Sequence, residues 1–130
     1  MQSLSDSLFR TSELIRYVAL YQHGQLHLAE RPGLRAPSAS ESDRYEELIV
    51  NPAVLVLTRQ RGEIDCGGLE YVLIRYGSFF QLVHAIPGGH LSVAFEPEAN
   101  PLTLLDGVRR IAAEHGLRLG GSEDRAPPSK

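Results

Sequence analysis

The chain has 130 residues, 42% of them hydrophobic, with 13 Lys and Arg against 16 Asp and Glu and a formal net charge of −3. That size and composition suit one globular domain with a real core and exclude a wholly disordered chain. The slight acidity argues against nucleic acid or an anionic membrane surface as the main partner.

Residues 1–12 carry Leu4, Leu8 and Phe9 at helical spacing, which predicts a short helix that needs docking to persist. Residues 15–21 (IRYVALY) are branched and aromatic and read as a strand. His23-Gly24 then turns the chain into a second strand over residues 25–30, with Gly24 supplying φ > 0. Residues 31–40 (RPGLRAPSAS) hold two prolines, a glycine and two serines and read as a flexible loop.

A helix follows, opened by Ser40 and Asp43 as a capping pair, with Tyr45, Leu48 and Ile49 on one face. Asn51-Pro52 predicts a break, with Asn51 as the cap of a second helix set at an angle and Gly62 as its end. In that second helix Val54, Leu55, Val56 and Leu57 are consecutive. Four such positions sweep about 300° of a helix, so one buried face cannot hold them all.

Residues 69–76, 79–86 and 90–96 read as three strands joined by two-residue turns at Gly77-Ser78 and Gly88-Gly89. That register sets Leu73 against Leu82, Ile86 against Leu91, His84 against Val93 and Leu82 against Phe95. One face then carries Leu69, Tyr71, Leu73, Phe80, Leu82, Ile86, Leu91, Val93 and Phe95. The other carries Val72, Ile74, Tyr76, Phe79, Val83, Ala85 and Ala94. A sheet apolar on both faces needs a layer on each side. Asn100-Pro101 opens a last helix with an apolar stripe of Leu102, Leu105, Val108, Ile111 and Ala112, widened by Leu104 and stopped by Gly116. Residues 120–130 are polar and read as a disordered tail behind a single domain over residues 1–119.

Chemistry-bearing residues do not converge. His23 lies in a turn and His27 in a strand, so the pair shares no helical face and no thiol or carboxylate stands at metal-ligand spacing beside them. His84 and His90 read as sheet residues. Cys66, the single cysteine, precludes an internal disulfide, fits a reducing compartment and lacks the surroundings of a catalytic nucleophile. Glu63, Asp65, Glu70 and Glu96 read as a solvated rim rather than an acid–base pair. Gly88-Gly89 reads as a hairpin turn, not an anion cradle. Arg59 with Arg61 and Arg109 with Arg110 are short basic pairs without interleaved aromatics. No catalytic, cofactor or metal site is expected. The first ten residues lack the pattern of a signal peptide and no apolar run approaches the roughly 20 residues of a membrane span, which makes a cytoplasmic location the expectation.

The order of elements, a short helix, two strands, a split helix, three strands and a helix, resembles the roadblock / dynein light-chain domain, within the profilin-like architecture. The resemblance is carried from Arg61-Gly62 to Glu114: the strand entered after Gly67-Gly68, the hairpin from Tyr71 to Val83, the Gly88-Gly89-His90 turn, the strand from Leu91 to Phe95 and the Asn100-Pro101-Leu102 helix start. It implies an α+β, three-layer α-β-α domain with a five-stranded antiparallel sheet. It also implies a non-catalytic homodimer in which the helix after the second strand packs on its mate and the sheets join. Bacterial members are often partners or regulators of small Ras-like GTPases. The surplus of apolar residues from Val54 to Leu57 independently asks for cover on two sides. The expected dimer interface is Tyr45, Leu48, Ile49, Leu55, Val56 and Arg59. The competing expectation is a PAS-like sensor of a small molecule or cofactor, with His84 as the tempting ligand; the third is an enzyme of unknown activity.

Overall fold

The computed structural model describes residues 1–34 and 39–119. Five strands, β1 (Ile15–Gln22), β2 (Gln25–Glu30), β3 (Val72–Arg75), β4 (Phe80–Ile86) and β5 (Gly89–Phe95), form one open antiparallel sheet in the order β2-β1-β5-β4-β3. Helices α1 (Gln2–Thr11) and α4 (Pro101–Glu114) cover one face. The other face is crossed by α2 (Ser40–Tyr45), a π turn (Glu46–Val50) and α3 (Asn51–Asp65). The result is an α+β protein in three layers with a profilin-like arrangement, as the order of elements implies. No helix among the described residues is long and apolar enough to cross a membrane. Residues 35–38 of the proline-rich segment expected as a loop, and the tail expected at residues 120–130, lie outside the described residues.

The main core lies between the sheet and the α1/α4 layer. Leu4 and Leu8 of α1 and Val108, Ile111 and Ala112 of α4 close on Ile15, Val18, Leu82, Ile86, Leu91, Val93 and Phe95. Fully burying each large aliphatic or Phe side chain contributes about 1.5–3 kcal/mol before entropy is set against it. Leu102, assigned to the α4 stripe from spacing, is instead 59% exposed, and Pro101 beside it is the buried residue of that first turn. Asn100 caps α4 as expected, its side chain accepting from the Leu102 N–H at 3.2 Å. At the other end Gly116, at φ 80, lets its own N–H reach the Ala113 carbonyl and the Leu117 N–H reach that of Ala112. This is a Schellman stop.

Three turn assignments separate. His23 (φ 53) and Gly24 (φ 81) are both left-handed, the type I′ hairpin expected between β1 and β2. The β3–β4 register, Leu73 opposite Leu82, also holds, but Gly77 does not have positive φ. The β4–β5 turn is Pro87-Gly88, not Gly88-Gly89: Ile86 pairs with Gly89, Leu82 with Val93 and His84 with Leu91. Proline presets φ at the first turn position and Gly88, at φ 81, fills the left-handed second one. Gly89 belongs to β5, where a Cβ would strike the Tyr21 carbonyl of β1. A slip of two residues leaves each side chain on its face, so the assignment of faces survives the error for β4 and β5. Leu69 is the exception. The strand begins only at Val72, and Leu69 packs with Leu55, Val83 and Ala85 on the opposite face.

The split helix is also resolved differently. Asn51 is helical (φ −64, ψ −43) and caps nothing; its N–H donates to the Glu46 carbonyl. That five-residue spacing is a π turn, and it absorbs Pro52 without ending the helix. The N-cap of α2 is Ala39 rather than Ser40, with no side-chain cap bond. Gly62 does not end α3 either. It is buried inside the helix, its carbonyl accepts from the N–H groups of Cys66 and Gly68, and a Cβ would meet Gly68 and Leu69 backbone at 3.1–3.2 Å. The residue is small because the returning chain passes there.

Candidate functional site

Two kinds of side chain leave the helix that runs from α2 to α3. Glu47, Asn51 and Leu55, four residues apart in turn, point at the sheet and are buried. Tyr45 (62% exposed), Leu48, Ile49, Val56 (53%), Leu57 (67%) and Ile64 form an apolar series that meets solvent. Of the six residues expected at a dimer interface, Tyr45, Leu48, Ile49, Val56 and Arg59 are therefore on the outside. Leu55 is not. It is 5% exposed and packed against Val83 and Ala85 of its own chain, because it continues the inward i, i+4 series of Glu47 and Asn51. Val72 of β3 packs into the same cluster. The exposed series thus rides on a helix that runs from the middle of the sheet, where Glu47 meets β1 and β5, to the side where Leu55 packs on β4 and β3, and among the described residues β3 pairs on its inner side only, with β4.

Beneath the helix lies a polar centre. The Glu47 carboxylate, fully buried, receives bonds from both the sheet and its own helix. Its Oε1 accepts from His90 Nε2 at 2.7 Å and Asn51 Nδ2 at 2.9 Å. Its Oε2 accepts from the Tyr17 hydroxyl at 2.6 Å, Ser92 Oγ at 3.0 Å and Gln81 Nε2 at 3.2 Å. Gln81 also reaches Ser92 Oγ. Five donors answer the desolvation of one buried carboxylate. Burial, and then the carboxylate beside it, hold the Tyr17 hydroxyl far above the ordinary phenol range. The spacing of hydrophobic residues does not reveal this cluster, and the expectation of an apolar middle on this face is corrected by it. The available signal was strand alternation: Gln81, His90 and Ser92 all fall on the face turned to the helix.

Beside this centre, between the start of α2 and the sheet, opens a cavity of about 530 Å³. Tyr17 and Gln81 form part of its inner wall, and Tyr45, Glu46 and Tyr76 part of its outer one. The Tyr76 hydroxyl donates to Glu46 Oε1 at 2.9 Å, while Glu46 Oε2 is closed off from solvent and has no hydrogen-bond partner. Burial, only partly offset by the Tyr76 bond, raises the Glu46 carboxyl above the usual range, and its carboxylate helps push Tyr76 up to about 12, after burial itself. On the far wall Arg16 is buried, bonded to Glu96 Oε1 at 3.2 Å and stacked over Phe79 at 5.3 Å.

The remaining candidates stay apart. His84 lies on the α1/α4 face, edge-on to Tyr71 at 5.8 Å with Nδ1 against the Glu70 carbonyl at 3.2 Å. His23 and His27 are exposed, and His90 belongs to the Glu47 cluster. Cys66 is exposed beside Asp65. Glu70 pairs with Arg109, Glu96 with Arg16 and Asp65 with Arg61. Among the described residues no three His, Cys, Asp or Glu side chains are grouped to hold a metal ion. No family model and no curated protein matches the sequence.

Proposed function

We propose that this chain is a non-catalytic homodimeric adaptor of the roadblock type, and that its partner is a small Ras-like GTPase. The observation that carries the dimer is the exposed apolar series on α2, the π turn and α3, lying beside an open strand edge. A contiguous apolar face of this kind calls for a covering surface. A second copy supplies one that is self-complementary. About a two-fold axis the series Tyr45, Ile49 and Val56 packs against the same series of the other copy, and β3 can pair antiparallel with its image to extend the sheet. The GTPase part rests on the resemblance in element order and on the profilin-like fold.

Light scattering tests the dimer. The expected mass is twice the 14.3 kDa of the chain. Val56→Asp places a charge at a half-exposed position, so the fold should survive while the dimer dissociates. A wild-type monomer at micromolar concentration ends the dimer reading. For the partner, the tagged chain is used as bait in the cytosol of its source, supplemented with GDP or a non-hydrolysable GTP analogue. Capture of a small GTPase that depends on the nucleotide supports the adaptor role. Capture of none removes the GTPase while leaving the dimer standing.

A further inference from the structure

The outer edge of β2 is open, and the register says which of its backbone groups are free. The two-residue turn at His23-Gly24 makes Gln22 and Gln25 a bonded pair, and the Arg31 N–H donates to the Arg16 carbonyl. Gln25, His27 and Ala29 therefore direct their backbone groups at β1. Leu26, Leu28 and Glu30 direct theirs away from it, and among the described residues β2 pairs with no other strand. Unpaired N–H and C=O groups thus recur about every 7 Å along this edge, the two-residue repeat of a β-strand. Sheets usually guard such an edge with proline, lysine, a bulge or very short length. β2 has none of these: it is six residues, QLHLAE, in unbroken register with β1.

Along the same edge a groove of about 550 Å³ separates β2 from α1. His27 and Ala29 lie opposite Leu20 and Val18 of β1, on the face that α1 covers, and they line the groove together with Phe9. Its carboxylates are Asp6 and Glu30, both exposed, and no Lys or Arg side chain lines it. Charge of one sign along a groove favours the opposite sign in what enters it.

We infer that the β2 edge and this groove receive an extended segment of a partner protein as a sixth strand, with a Lys or Arg of that segment directed at Asp6. Backbone bonds to Leu26, Leu28 and Glu30 hold the segment, and its side chains give selectivity. The basic residue lays its apolar stem on Phe9 and Ala29 and brings its charge to Asp6. Its neighbours in the segment, on the opposite face, continue the apolar strip of Leu26 and Leu28. A helix has no free backbone groups to offer such an edge. A second copy of the chain has them, but its own β2 carries no Lys or Arg and sets the same carboxylates against Asp6 and Glu30. The inference does not rest on the dimer, which uses the opposite edge of the sheet.

The test uses the intact chain and one probe, the acetylated and amidated heptapeptide Thr-Val-Lys-Val-Arg-Val-Thr. Its controls replace Lys and Arg by Glu, or carry N-methyl groups on alternate amides in one phase or the other. Affinity is read by titration calorimetry, and the docking place by amide hydrogen exchange. The basic peptide should bind saturably and slow exchange at Leu26, Leu28 and Glu30, with the glutamate version at least about fivefold weaker. One phase of N-methylation should abolish binding. Asp6→Lys, at an exposed position, should narrow the preference for the basic peptide at least about threefold. Leu28→Pro removes an N–H that points away from β1, so it should lose binding with the fold retained by circular dichroism. The inference is overturned if the basic peptide does not bind, if the glutamate version binds as tightly, or if both N-methylated peptides bind like their parent. Full preference in Asp6→Lys, unchanged binding in folded Leu28→Pro, or protection at β3 in place of β2 would overturn it equally. So would a wild-type mass that falls in Leu28→Pro without peptide, because a second copy then holds the edge. Should Leu28→Pro not fold, the peptide series and Asp6→Lys decide.

Discussion

Glu47 Oε1 and His90 Nε2 stand 2.7 Å apart, one on the π turn and the other on β5, and both are closed to solvent. This bond and those from Tyr17, Gln81 and Ser92 attach the helix layer to the middle of the sheet. The π turn has a physical reason here. Its extra residue places Pro52 in a continuous helix while Glu47 and Asn51 still face inward, and Asn51 then donates back to Glu47.

Removing the carboxylate strands five donors. Glu47→Ala should lower unfolding free energy by about 3–5 kcal/mol, since breaking a buried ionic network leaves uncompensated polar groups. Overall damage does not isolate the pair, so the sharper measurement is a double-mutant cycle with Glu47→Gln and His90→Gln by urea unfolding. A coupling of at least about 1 kcal/mol is expected for residues in direct contact. Additive effects would mean that the bond contributes nothing specific.

Periodicity and turn chemistry made the fold legible, and the site much less so. Apolar-rich runs on either side of short turns marked the five strands, and His23-Gly24, Asn100-Pro101 and Gly116 act locally as their residue types dictate. Glycine was ambiguous. It serves a left-handed turn at Gly88 and close backbone passage at Gly89 and Gly62, and local sequence does not distinguish these uses. The Glu47 cluster joins residues 17, 47, 51, 81, 90 and 92, so it exists only once α3 is laid over the sheet. The surplus of apolar residues at Val54–Leu57 did mark the outer face, but only the inward phase set by Glu47 and Asn51 assigns Leu55 to the core.

Gly77 and Gly89 provide a controlled comparison. Gly89→Ala drives a Cβ into the Tyr21 carbonyl where two central strands meet, and should destabilise by about 3 kcal/mol or more. Gly77→Ala meets nothing within 4 Å and needs no positive φ. It should be neutral or stabilising by about 0.4–1 kcal/mol through the unfolded chain. Thermal and urea melts of the two variants decide whether the turn lies at Pro87-Gly88. Equal effects would contradict it.

Leu55 and Leu57, two residues apart, should respond in opposite ways. Leu55→Ala opens a cavity against Val83 and Ala85 and should cost about 2–5 kcal/mol of fold stability without changing the oligomer interface. Leu57 is 67% exposed, so Leu57→Ala should alter stability of the dilute chain by no more than about 0.5 kcal/mol while weakening self-association. Sedimentation over a concentration series, alongside unfolding, reads both. A Leu55→Ala variant of normal stability would place the helix in the wrong phase.

His84 makes the fold sensitive to acid. Desolvation, and after it the neighbouring Arg109, lower its pKa from 6.5 to about 4, against the weaker opposing pull of the Glu70 carbonyl and carboxylate. The unfolded chain therefore binds a proton first, and the stability held while His84 is neutral declines as pH falls below 6.5 towards 4. Between pH 7 and pH 5 this group alone should remove about 2 kcal/mol. His84→Gln retains a donor for the Glu70 carbonyl but does not titrate, so its urea midpoint should fall less over the same interval. Other titrating groups are common to both proteins and cancel in the difference. Equal losses in the two proteins would mean that His84 protonates as readily in the folded chain as in the unfolded one, and that the α1/α4 face is open to water beside Tyr71.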